Sequence, residues 1–379
     1  MAVWRDSFAP YSETFIYDEL RHHVRWDATV FATERLNADR FPWDDVVTLD
    51  GPPVVGAVEK LAYRVTSLSP RMMWHAWRGH YDLIHAHFGT AGVRALPYAV
   101  ALRRPLITMF HGGDLSRLVG EWSRQPKNWG MRAAAPLLFR RSDLVLAASR
   151  DLYDNLVASG CPESKLRMFR LGIDLTQFQR SRREEGAKHI VMVGRLVEKK
   201  GFAYALQAIA RQPGSGPKVR VTIAGDGPLR AQLESTARDA GIGDRVTFAG
   251  AVTHAEIKRL MSDADVVLAP SVVTPSGDRD SGIIVVKEAA ASSVPSVGTY
   301  HGGIPEIIED GKTGFLVDEH DVEALADRLQ RLLGDEALRR RFGEAARAKM
   351  EREYDIATRV AELETIYDEV VRQHARRAS

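Results

Sequence analysis

The chain of 379 residues has one cysteine, Cys161, which excludes an intramolecular disulfide and any metal site made of several thiolates. No stretch reaches the roughly 18 uninterrupted apolar residues that a bilayer-spanning helix needs. The first fifteen residues hold Arg5, Asp6 and Glu13 and lack the apolar run of a secretory signal. Neither export nor membrane insertion is expected, and the reading is cytoplasmic. Net charge is only +2, from 52 basic and 50 acidic residues, so no nucleic-acid partner is expected. Low-complexity sequence is also missing. What remains is an ordinary globular composition, 45% apolar and 27% charged, at a length that fits about two domains with a full core each.

Short β-rich runs alternate with longer helical patterns, the sign of βαβ units on parallel sheets. In the first half strands are expected at Asp82–Phe88, Pro105–Phe110 and Asp143–Ala148. The pattern restarts at His189–Gly194 and continues through Val219–Gly225, Val246–Gly250, Ala264–Ala269 and Pro295–Gly298. Between the halves, Gln179–Lys188 is rich in Arg and Glu and poor in apolar side chains. The division is therefore an N-terminal domain at 1–178, a linker at 179–188 and a C-terminal domain at 189–354. Leu325, Leu329, Leu332 and Leu333 mark a helix from about Val322. The stretch 355–379 reads as a helix able to pack on either domain, including back on the first. Parallel sheets bind ligands beyond the carboxyl ends of their strands, so the functional residues are expected from both halves, in the crevice where those ends face each other.

Several segments carry chemistry. Gly194–Gly201 follows a strand and opens a helix, which sets Arg195 and Lys200 beside helix amides where a diphosphate could sit; solvated surface charges are the alternative. Asp280 precedes the backbone amides of Gly282 and Ile283, and Glu288 follows eight residues after Asp280. Both acids could bind hydroxyls of one elongated ligand, or they mark an ordinary helix start with Glu288 facing solvent. His111, in Phe110–Asp114, projects from a strand end, with Asp114 close by. His85 and His87 share one strand face; with no third ligand evident they read as one packed histidine and one lining the crevice. Gly302–Glu306 suits close approach to phosphate. Ala224–Leu229 is half of a dinucleotide fingerprint, lacking the third glycine and the later acid, and is weak evidence for NAD.

Residues 51–112 contain seven Lys or Arg against two acids, with Lys60, Arg64, Arg71 and Arg78 beside Met72, Met73, Trp74 and Trp77. Residues 57–79 are a candidate for peripheral contact with an anionic membrane surface on the inner face. The competing reading, favoured on composition, packs the Trp and Met side chains inward.

Taken together, these segments resemble the retaining nucleotide-sugar glycosyltransferases of family 4 ("glycosyl transferases group 1"), of the bacterial envelope-polysaccharide type. The resemblance covers both halves and implies the α/β GT-B fold, two Rossmann-like parallel-sheet domains facing each other across a cleft. It implies that Arg195 and Lys200 meet the donor diphosphate and that Asp280 and Glu288, matching an E-x(7)-E signature, meet the transferred sugar and the ribose. Gly282 and Ile283 would line the donor. His111 corresponds to the strand-end histidine at the sugar, with His87 and Asp114 on the acceptor or sugar side. Ser12 and Glu13 resemble an S-E-T-F-I stretch at the donor, and Val252 falls where the base is read by backbone groups. Implied partners are a UDP- or GDP-sugar and a hydroxyl acceptor, in polysaccharide biosynthesis, with no cofactor and no metal; the D-x-D of Asp278 and Asp280 belongs to another glycosyltransferase fold.

Two departures stand out. Aspartate at 280 is one methylene short of the signature glutamate, which bears on donor choice. The sequence before Ser12 is short for a strand plus loop, and a start upstream of Met1 is one expectation. A non-hydrolysing sugar-nucleotide epimerase, a silent sugar-nucleotide binder and an NAD oxidoreductase are the competing functions.

Overall fold

A computed structural model describes residues 1–10, 14–50, 53–179, 188–212, 219–275, 277–279 and 283–378. The chain forms two units, Met1–Gly172 with Ile356–Ser379, and Ile173–Asp355. In the first, the elements run β1 (Ala2–Phe8), α1 (Thr14–Arg21), β2 (Thr29–Arg35), β3 (Val46–Thr48), α2 (Pro53–Thr66), α3 (Pro70–Arg78), β4 (Ile84–His87), α4 (Gly89–Leu102), β5 (Leu106–Phe110), α5 (Gly113–Leu118), α6 (Trp129–Arg141), β6 (Leu144–Ala147), α7 (Arg150–Ala158) and β7 (Leu166–Met168). The second contains β8 (Lys188–Val193), α8 (Phe202–Ala210), β9 (Val219–Ala224), α9 (Arg230–Asp239), β10 (Val246–Gly250), α10 (His254–Asp263), β11 (Val266–Ala269), α11 (Ile283–Ala291), β12 (Ser296–Thr299), α12 (Ile304–Ile307), β13 (Gly314–Val317), α13 (Val322–Gly334) and α14 (Glu336–Glu353). A last helix, α15 (Ile356–Ala378), returns to the first unit.

Both sheets are parallel and doubly wound. Among the described residues the first has seven strands in the order β3-β2-β1-β4-β5-β6-β7, the second six in the order β10-β9-β8-β11-β12-β13. Strands covered by helices on both faces are mostly apolar, and Leu106–Phe110 is buried at every residue, with its one polar side chain, Thr108, partnered by Ser142 Oγ at 3.1 Å. The stretch before Ser12 does supply a full strand: β1 lies at the centre of its sheet, Ala2 pairing with Thr29 on one side and Ile84 on the other. Trp4, fully buried, stacks on Phe31 at 4.3 Å and donates its indole N–H to Tyr63 Oη at 3.2 Å. In the second unit Leu325, Leu329, Leu332 and Leu333 of α13 are buried in a core with Ile190, Met192 and Leu206.

The expected boundary at 178/179 moves. The chain crosses at Gly172–Ile173, because Leu175 and Phe178 are buried with Val286, Ile304 and Met350 in the second unit. Residues 180–187, most of the expected linker, lie outside the described residues. The chain crosses back at Asp355–Ile356 beside the first crossing, with the Ile173 amide donating to the Tyr354 carbonyl at 2.8 Å. Helix α15 buries Leu363, Ile366, Tyr367 and Val370 in the first unit's core. Its Glu364 accepts the backbone N–H groups of Val24 and Arg25, each at 2.8 Å.

Candidate functional site

In each sheet the first strand of the unit has neighbours wound in opposite directions, which opens a crevice beyond its carboxyl end. For the second unit this switch point lies between β8 and β11, and the loops after those strands carry Arg195, Lys200 and Asp280. Backbone contact shapes the place. Gly194 has φ +154° and Gly225 φ +142°, and a Cβ on Gly225 would stand 1.9 Å from the Gly194 carbonyl oxygen. Only glycine lets the loops after β8 and β9 touch in this way. The Lys200 side chain lies over Gly194, its Cε 3.0 Å from where a Cβ there would be, and Arg195 is exposed next to it.

The neighbouring lysine has a different job. Lys199 Nζ donates to Asp278 Oδ1 and to the Arg279 carbonyl, both at 3.0 Å, and the Val272 amide donates to the Lys199 carbonyl at 2.9 Å. Asp278, the first acid of the D-x-D, is thereby the counter-ion that fastens the loop after β11 to the loop after β8. Asp280 and Gly282 lie outside the described residues; Ile283 opens α11. Glu288 is 4% exposed, so it does not face solvent. His254 Nε2 donates to its Oε1 at 3.2 Å. His254 begins α10 behind the cap Thr253, which exchanges hydrogen bonds with Glu256, and Val252 comes just before that cap. Motif reading missed Glu319. It accepts from the Val273 amide at 2.7 Å and from His301 Nδ1 at 2.6 Å, linking the loops after β11, β12 and β13. Burial alone would raise the Glu319 carboxyl; the Val273 amide and His301 hold it below its ordinary value.

In the first unit the switch point falls between β1 and β4. The loop after β1 carries Ser12 and Glu13, which lie outside the described residues. His111 follows β5, its ring 4.5 Å from Phe88, 5.1 Å from Phe15 and 5.5 Å from His87. Asp114, expected on the sugar side, is buried and turned to the backbone: Oδ2 accepts the Gly89 amide at 2.7 Å, and Oδ1 accepts the amides of His111 at 3.2 Å and Gly112 at 2.8 Å. Burial pushes its carboxyl up, against the pull of those amides. Asp114 therefore holds the His111 loop, with both of its oxygens accepting backbone amides.

His87 is also corrected. It is fully buried and lines no open surface; its Nδ1 stands 3.3 Å from His111 Nε2, and its Nε2 3.2 Å from Glu19 Oε1. The third group that the sequence does not show beside the histidine pair is Glu19 of α1. Tyr367 Oη of α15 lies 2.6 Å from His85 Nδ1. Burial drives the pKa of both histidines well below the imidazole range and raises that of Glu19. Arg5, another buried residue, donates to the His87 carbonyl at 3.3 Å and covers the Phe88 ring at 4.4 Å.

The segment 57–79 also departs from the favoured packed reading. Met72 is fully buried, but Trp74 and Trp77 are 50% and 65% exposed, as are Val58, Leu61 and Val65 at 64–79%. Arg78 covers Trp74 at 5.1 Å. No described helix is long and apolar enough to cross a membrane.

Two doubly wound parallel sheets, each with polar side chains gathered over its switch point, define a two-domain Rossmann-like α/β protein. Family models match almost end to end: "Glycosyltransferase Family 4" over residues 12–177 and "Glycosyl transferases group 1" over 174–349. Among curated relatives, a putative colanic acid biosynthesis glycosyltransferase, WcaL, of Salmonella typhimurium is 36% identical, covering 65% of this chain and 60% of the relative. The amylovoran biosynthesis glycosyltransferase AmsK of Erwinia amylovora is also 36% identical, covering 72% of this chain and 67% of the relative. Of solved structures, Anabaena HepE in complex with UDP-glucose superposes with TM-score 0.77 at 21% identity, covering 97% of this chain and 99% of HepE. The chain belongs to the group 1 glycosyl transferases, and its fold is GT-B. It spans 60–67% of the length of WcaL and AmsK.

Proposed function

We propose that the protein transfers a sugar from a nucleoside diphosphate sugar to a hydroxyl acceptor with retention at the anomeric carbon. The observation that carries this reading is the loop at the β8/β11 switch point. Its backbone is pinned by the glycine contact at Gly194 and Gly225 and by the Lys199–Asp278 pair, while Arg195 and Lys200 remain at the strand end. As the bond from anomeric carbon to phosphate oxygen breaks, negative charge grows on the departing diphosphate. Fixed cations stabilise that charge without reorganising, so no metal is required for this step. The departing phosphate oxygen takes the acceptor proton as the acceptor oxygen bonds the same face of the sugar. Glu288 holds the ribose and Val252 the base edge. His111, positioned by Asp114, serves the transferred sugar. The UDP-glucose bound by HepE makes a uridine diphosphate sugar the first donor to try, and the names of WcaL and AmsK suggest an acceptor in envelope-polysaccharide assembly.

A panel of donors with nucleotide release as readout tests the proposal. Lys200→Ala should fold normally and lose turnover by about two orders of magnitude, the effect of one such electrostatic contact, ~3 kcal/mol. Unchanged turnover in that variant overturns it. Interconversion of donor sugars without nucleotide release would point to an epimerase instead.

A further inference from the structure

The side chains of Glu19, His85 and His87 meet in the first unit in a way that packing does not explain. One ligand atom from each lies within 4.8 Å of the other two. Glu19 Oε1, His85 Nε2 and His87 Nε2 are all buried and make no hydrogen bond among the described residues. Buried polar atoms left without a hydrogen bond are expensive in a protein interior, where a single unsatisfied group costs about 1–3 kcal/mol. A proton shared by Glu19 and His87 would satisfy two of them and leave His85 Nε2 without a partner.

We propose that Glu19, His85 and His87 bind a divalent transition-metal ion, with zinc as the expected occupant and a water as the fourth ligand, in a site that ties α1 to β4. Donor chemistry and geometry agree. Two imidazoles and a carboxylate are a familiar donor set for such ions. Two ligands each about 2.0–2.1 Å from a tetrahedral ion stand about 3.3 Å apart, and His87 Nε2 lies 3.2 Å from Glu19 Oε1. The far nitrogen of each ring already has a partner, Tyr367 Oη for His85 and His111 Nε2 for His87. Metal at both Nε2 atoms puts the proton on both Nδ1 atoms, so each ring donates outward to a neutral acceptor, the arrangement that orients metal-bound histidines. The ion itself would bind neither substrate of the transfer proposed above; it touches that reading only through His87, whose Nδ1 stands 3.3 Å from His111 Nε2.

The test uses the full chain, stripped with a chelator and titrated with Zn2+ alone and with Co2+ alone. About one ion should bind per chain, Co2+ should show the visible absorption of a four-coordinate N/O site, and Zn2+ should raise the melting temperature followed by tryptophan fluorescence in a concentration-dependent manner. The double variant Glu19→Gln/His85→Gln should abolish binding. Because it alters buried residues, Tyr367→Phe serves as the second variant: it keeps all three ligands, removes an outer partner, and should weaken Zn2+ binding by about 10–100-fold without changing its stoichiometry. A folded wild-type chain that binds no ion and shows no Zn2+-dependent shift overturns the proposal in favour of a shared proton. Binding that survives unchanged in the double variant overturns it too, since the ion would then sit elsewhere.

Discussion

Replacing Asp114 with alanine should damage the first unit far more than a typical polar truncation. The carboxylate accepts three backbone N–H groups, from Gly89 at 2.7 Å, Gly112 at 2.8 Å and His111 at 3.2 Å, in a place with almost no solvent access. Alanine leaves the Gly89 and His111 donors buried and unpaired and takes the partner from the half-buried Gly112 donor. At about 1–3 kcal/mol for each orphaned group, with the long His111 contact discounted, the loss comes to about 4 kcal/mol. For a unit of this size that is a fall in melting temperature of about 10 °C. Asp114→Asn retains one carbonyl oxygen, able to serve the His111 and Gly112 amides, but turns an amide toward the Gly89 N–H; about half of the loss should remain. The assay is unusually selective. All seven tryptophans, Trp4, Trp26, Trp43, Trp74, Trp77, Trp122 and Trp129, lie in the first unit, so urea unfolding followed by tryptophan fluorescence reports on it alone. An alanine variant within 1 kcal/mol of wild type, with the asparagine variant no different, would refute the idea that this carboxylate holds the His111 loop.

In the second unit, Lys349 donates to Glu309 at 2.8 Å and, by hydrogen bond and charge, holds the Glu309 carboxyl below its ordinary value of 4.5. A depressed folded pKa stabilises above the unfolded value, and that contribution disappears as pH falls from 4.5 through the folded value. Glu309→Gln should therefore lower stability at pH 7 by roughly 1 kcal/mol, a figure kept small because the carboxylate is partly exposed. The difference from wild type should vanish in acid, as read by circular dichroism in urea; a difference that persists unchanged at low pH would contradict the assignment. On α3, Trp74→Ala/Trp77→Ala should weaken co-sedimentation with anionic liposomes and leave melting nearly unaltered, because both rings are outward. If the wild-type chain shows no salt-sensitive binding to such liposomes, the surface does not meet a membrane.

Strands rich in apolar residues, such as Leu106–Phe110 and Val266–Ala269, are legible in the sequence because both faces are covered and few polar residues are admitted. Others hide. β1 carries Arg5 and Asp6, yet Arg5 is buried by donating to carbonyls and covering Phe88, a compensation no local pattern reveals. β2 ends in Thr33, Glu34 and Arg35, β3 has three residues, and β7 and β13 are similarly short edge pieces. At the candidate site, the glycine-flanked loop with Arg195 and Lys200 can be found from spacing alone, since tight turns demand glycine at fixed positions. Residues joined across long separations cannot. Asp114 looks like a ligand-side acid but serves the backbone, and His85 reaches Tyr367 across 282 positions. Composition does not reveal the facing of the α3 tryptophans either: Met72 takes the inward position, and Trp74 and Trp77 are left 50% and 65% exposed.

Because α15 supplies Leu363, Ile366 and Tyr367 to the interior of the first unit, that unit cannot be finished while the chain is being made until the whole of the second has left the ribosome. The domain begun first is completed last, the reverse of the usual order of domain-wise folding during synthesis. For the intervening time the core lacks the side chains of α15, His85 is without Tyr367, and the amides of Val24 and Arg25 are without Glu364. A nascent chain stalled before Ile356 would leave the second unit complete and the first one open to chaperones and proteases.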